Sequence, residues 1–60
     1  MDLIEDLRAV MGEKGFSCDT ASRFIGCSGR QVDRWLLGKS RPSFVYQTLI
    51  KKGIKKIRSL

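Results

Sequence analysis

Histidine is absent from this chain of 60 residues, and proline occurs once. The side chain best suited to general acid–base work near neutral pH is therefore missing. Cysteine is scarce, with only Cys18 and Cys27. Two thiols without imidazole make too small a set for a zinc site. Each sits where a small apolar residue would serve, so both are expected as free, buried thiols. No run approaches the ~20 apolar residues of a membrane span, and nothing resembles a signal peptide. No nucleotide-binding loop occurs, and so short a chain has little room for a cleft. These gaps point away from an enzyme. No cofactor, metal, small-molecule substrate or membrane span is expected, and the place of work expected is the cytoplasm.

Sixty residues bound one domain, 1–60, and a domain this small is marginally stable. The formal net charge is +6 and is unevenly spread. Residues 1–16 hold four acids and two bases, a balance of −2. Residues 17–60 hold Asp19 and Asp33 against ten Lys or Arg, a balance of +8. A basic part of this kind suits a polyanion.

Asp2 to Met11 reads as an amphipathic helix. Leu3, Ile4, Leu7, Val10 and Met11 share one arc, and Gly12 or Gly15 can end it. Ser17 caps a second helix running to about Ile25, with Phe16 and Ala21 placed as a hydrophobic staple. Its inner face is Cys18, Ala21 and Ile25, while Asp19 and Arg23 face water. Gly26-Cys27-Ser28 is a sharp turn. Gly38 to Ser43 is a polar loop. A further helix starts near Pro42 or Ser43 with Val45, Tyr46, Leu49 and Ile50 in one apolar arc. Phe44 falls outside that arc. Lys51-Lys52-Gly53 reads as a helix end. Residues 54–60 then form a last short helix or fray, with Ile54 and Ile57 inward.

The centre of the chain is Ser28 to Leu37. With Val32 set at zero, Leu36 falls at roughly +40° and Trp35 at roughly −60° on a helical wheel. Arg30 and Arg34 fall at roughly 160° and 200°, opposite that apolar face. Ser28 and Gln31 have capping-box spacing, and Gly38 stands at the αL C-cap position. Trp35 reads as core. The fold class expected is all-α, a bundle of four or five short helices containing a helix-turn-helix.

The run Ser17 to Ser43, with Ala21-Ser22, Ile25-Gly26, Ser28, Val32, Trp35, Gly38 and Pro42, resembles the lambda-type helix-turn-helix of the phage repressor/Cro or Xre family. The motif spans about 17–38. The resemblance implies sequence-specific binding of double-stranded DNA, as a small phage or prophage-type transcriptional repressor. Its second helix, 28–37, would enter the major groove. By position, base reading falls to Gly29, Arg30, Asp33 and Arg34. Phosphate contacts fall to Ser17, Cys18, Lys39, Ser40 and Arg41, with Gln31 beside them in addition to its capping role. The chain departs from the pattern in three places. Gly29 replaces a long polar reader, and Cys18 replaces a phosphate-touching Gln. Ser22 replaces Ala at the tight crossing, where its hydroxyl is placed to bond the Cys18 carbonyl. Family members commonly act as dimers. A homodimer through Leu37 and Phe44 is one expectation here, and a monomer is the other. Gly29 and Asp33 also admit an alternative, an antitoxin-like or adaptor protein-interaction module that keeps the fold without reading DNA. A membrane-surface role for the basic C-terminal segment is a third reading.

Overall fold

Each helix of this protein begins on a side-chain oxygen. The computed structural model describes residues 2–60, with helices α1 (Leu3–Lys14), α2 (Cys18–Ile25), α3 (Gly29–Leu36) and α4 (Phe44–Arg58). Asp2 accepts from the Ile4 N–H at 3.1 Å and Ser17 from Thr20 at 3.2 Å. Ser28 accepts from Gln31 at 3.3 Å and Ser43 from Tyr46 at 3.5 Å. Each such bond satisfies a donor that the helix leaves open, typically worth ~1 kcal/mol. The far ends of α1 to α3 turn through Gly15, Gly26 and Gly38, all at positive φ. At the Gly26 turn, φ is 93° and Cys27 N–H reaches back to the Ser22 carbonyl. That closure brings the chain from α2 to α3 within three residues.

α2 lies in the middle. It packs against both α3 and α4, while α1 packs mainly on α4 and more lightly on α3. The core is drawn from all four: Leu7, Val10 and Met11; Ala21 and Ile25; Val32 and Trp35; Ile50, Ile54 and Ile57. Trp35 meets Tyr46 edge-on, with ring centroids 5.4 Å apart and planes at 61°. Phe16 is stacked on Phe24 at 5.5 Å. The bundle measures 27 × 22 × 19 Å. Among the described residues there is no strand, and no helix is long and apolar enough to cross a membrane.

Several expectations change. Gly53 does not end a helix, because α4 runs unbroken from Phe44 to Arg58 and Gly53 is buried within it. A Cβ at Gly53 would lie 2.8 Å from Cγ1 of Ile25, 3.2 Å from the Phe24 carbonyl oxygen and 3.3 Å from the Ile25 Cα. A side chain at this position would have to push back both the Ile25 side chain and the α2 backbone, and glycine avoids that. Ile54 and Ile57 point inward on this one helix. Val45 is exposed and leaves the expected apolar arc. Phe44 is exposed, as its position outside that arc requires. Cys18 and Cys27 are free but half-buried, since neither points fully into the core. The Ser22 hydroxyl bonds the Asp19 carbonyl at 2.7 Å, one residue short of the expected Cys18.

Two glycine substitutions separate packing from helix propensity. Gly12 lies inside α1, and a methyl group added there would meet nothing within 4 Å. Gly12→Ala is expected to stabilise the fold by about 0.5–1 kcal/mol. Gly53→Ala gains the same propensity but forces α2 and α4 apart, for a net loss of about 1–2 kcal/mol. Urea denaturation followed by circular dichroism measures both; equal signs would contradict the close approach.

Candidate nucleic-acid interface

α3 is a short rod with one apolar side and one charged side. Val32 and Trp35 are 0% and 2% exposed, and they fix its inner face. Arg30, Asp33 and Arg34 are exposed on the outer face, and Gln31 is half-buried. Arg30 and Arg34 are one turn apart, so their guanidiniums belong to one surface. Gly38, at φ 76°, reverses the chain after α3, with Lys39 N–H bonded to the Arg34 carbonyl at 3.0 Å. Lys39 and Arg41 then stand exposed in the loop that follows.

No family model, curated protein or solved structure matches this chain. The site therefore rests on its own geometry.

Gly29 departs most from the sequence reading. It is half-buried, and a Cβ there would collide with Oδ1 of Asp19 and fall 3.1 Å from the Asp19 Cα. Gly29 therefore packs closely against Asp19 at the junction of α2 and α3, which gives the missing side chain a packing reason. Asp19 is exposed, as expected, and its side chain also reaches the start of α3. Its carboxylate lies over the first turn of α3, where the helix dipole favours negative charge. Sequence reasoning missed this because Asp19 and Gly29 sit on different helices. The only available signal was a glycine at a helix start where side chains are ordinarily tolerated.

Ser40 also departs from expectation. Its hydroxyl is buried without a hydrogen-bond partner among the described residues, as is the Trp35 indole N–H. In this conformation the Ser40 hydroxyl is turned away from solvent. Ser17 is exposed, with its hydroxyl engaged in the cap and 3.1 Å from the Thr20 hydroxyl. Gln31 N–H is held by Ser28, but no return bond from the Gln31 side chain forms among the described residues. The capping box is half made, which leaves the amide side chain without that task.

Arg8 was not foreseen as part of this region. Its guanidinium donates to the Leu36 carbonyl. That satisfies one of the acceptors left open at the end of α3 and places a cation where the dipole is negative. α1 thereby braces the far end of the arginine-bearing rod.

The electrostatics are mixed. Cys18 Sγ lies 4.0 Å from Oδ1 of Asp33, at the long limit for a thiol donor. Burial pushes the Cys18 thiol above its usual range, and the charges of Asp33 and Asp19 push it further. The Cys27 thiol is also raised, by burial alone. Cys18 is thus held neutral, beside two carboxylates, at the start of α2. Its side chain brings no positive charge to a phosphate; only the helix N-terminus does. Among the described residues no group of three or more Cys, Asp or Glu is gathered closely enough to hold a metal ion.

The pairing with Asp33 has a measurable consequence. Removing a nearby negative charge favours thiolate, so Asp33→Asn lowers the Cys18 pKa. Alkylation of Cys18 by iodoacetamide at pH 8 is then expected to accelerate by about twofold or more. Cys27 keeps its rate. Mass spectrometry of the labelled peptides reads both sites, and equal rates at Cys18 with and without Asp33 would exclude the contact.

Proposed function

We propose that the protein binds duplex DNA sequence-specifically, as a small transcriptional repressor of the lambda helix-turn-helix type. In this reading α2, the Gly26 turn and α3 form the helix-turn-helix, and α3 enters the major groove. The observation that carries it is the two-sidedness of α3: Val32 and Trp35 are buried while Arg30 and Arg34 stand exposed one turn apart. Arg recognises guanine through O6 and N7, at about 1–3 kcal/mol per good pair. Lys39, Arg41 and the backbone at the start of α2 supply phosphate contacts. Asp33 serves as an acceptor for cytosine N4 or orients a neighbouring arginine. A regulator of this kind works in the cytoplasm. Leu37 and Phe44, 61% and 81% exposed, are the patch for a homodimer on a two-fold site.

One arrangement favours a second reading, that of an adaptor module. Asp19 and Asp33 bring two carboxylates to the junction of α2 and α3, and Gly29 offers no side chain there. Such a face suits a protein partner better than a phosphate backbone at that one point. The exposed arginines on the same helix weigh against it.

Selection from a random duplex library at two salt concentrations tests the proposal. A consensus is expected, with affinity falling steeply as salt rises. Arg30→Ala with Arg34→Ala is expected to weaken binding to that consensus by about tenfold or more, at unchanged helicity. A library that yields no consensus, or a double variant that binds as well as the parent, sinks the reading.

A further inference from the structure

A second surface lies away from the arginine-bearing rod. α3 begins against the start of α2, where Gly29 meets Asp19. At the other end of α2, Phe24 and the last turns of α4 line a cleft of about 540 Å³ that is broadly open to solvent. Its walls are Phe24, Leu60 and the stems of Lys52, Lys55 and Lys56, with Ser59 at the edge, and the lining is almost wholly carbon. Three lysines contribute to it and none of its side chains is acidic. The last acidic residue in the sequence is Asp33. Leu60 is 68% exposed, while Phe24 is half-buried and stacked on Phe16.

We propose that this cleft docks an acidic protein segment that inserts one large apolar side chain between Phe24 and Leu60. The lysine stems lie along apolar surface and hold their charged ends at the rim. An apolar side chain gains by leaving water for the carbon floor. Carboxylates flanking it meet the three lysines, and no acidic side chain lines the cleft to oppose them. A phosphate backbone makes no use of a carbon floor. A bilayer surface requires apolar groups that project, as on an interfacial helix. In the last turns of α4 beside the cleft, Ile50, Ile54 and Ile57 are instead buried in the core, and Leu60 is the one exposed apolar side chain there. The cleft is separate from the proposed DNA-reading face, so either assignment stands or falls without the other.

The test is a displayed library of random 12-residue peptides, selected on the protein. Counter-selection uses a variant carrying Lys52→Gln, Lys55→Gln and Lys56→Gln. All three lysines are exposed, so the variant retains the fold, as circular dichroism checks. Enriched peptides are expected to place Leu, Ile, Phe or Trp among Asp and Glu. A synthetic copy should bind the parent about tenfold more tightly than the triple variant. It should bind Leu60→Ser several-fold less tightly, and lose binding when its own apolar residue becomes Ser. Arg30→Ala with Arg34→Ala should leave this binding unchanged. No enrichment would overturn the proposal, as would acidic peptides indifferent to their apolar residue. So would a triple variant whose loss is confined to phosphatidylserine vesicles or duplex DNA.

Discussion

The close approach of α2 to both its neighbours is the constraint on which this structure depends. Glycine stands at each contact. Gly53 lets α4 lie against the backbone of Phe24 and Ile25, and Gly29 lets the start of α3 lie against Asp19. Ala21 and Ser22, both buried, keep the faces of α2 small as well. In 60 residues there is no second layer to compensate for a displaced helix. Interiors are packed densely enough that one added methyl group is felt. The two glycines set the spacing of the three helices, and the spacing sets where the surface of α3 faces.

That arrangement is finished by Trp35 and Arg8. The indole is buried against Tyr46 and commits one side of α3 to the core. The Arg8 guanidinium holds the Leu36 carbonyl at its far end. Between the Ser28 cap and the Arg8 bond, an eight-residue helix is secured at both ends. Isolated helices of that length are not stable in water. The outward position of Arg30 and Arg34 thus follows from packing on the opposite side of the rod.

Much of this was legible in the sequence because it is local. Ser17, Ser28 and Ser43 announce helix starts, and the wheel through Val32, Trp35, Arg30 and Arg34 separates two faces. What was not legible is long-range. Gly53 after two lysines has every local mark of a helix end, and only its contact with Ile25 shows otherwise. Asp19 is the solvent residue its pattern announces, but its contact with Gly29 on the next helix has no local mark. Ser40 carries a hydroxyl suited to phosphate, but the loop turns it inward. Cys18 stands at a helix start suited to an anion, yet its side chain faces Asp33. In each case a residue of ordinary local meaning acquires its role from another part of the chain.

The central claim is that the buried side of α3 presents Arg30 and Arg34 to duplex DNA. The most direct measurement is a nuclear magnetic resonance titration of the labelled protein with the duplex recovered by selection, following backbone amides and arginine side-chain Nε–H signals. The largest shifts are expected at Arg30, Asp33 and Arg34, with smaller ones at Ser17, Lys39 and Arg41. Shifts confined to the lysines at the end of α4, with the Arg30 and Arg34 signals unmoved, would contradict the claim.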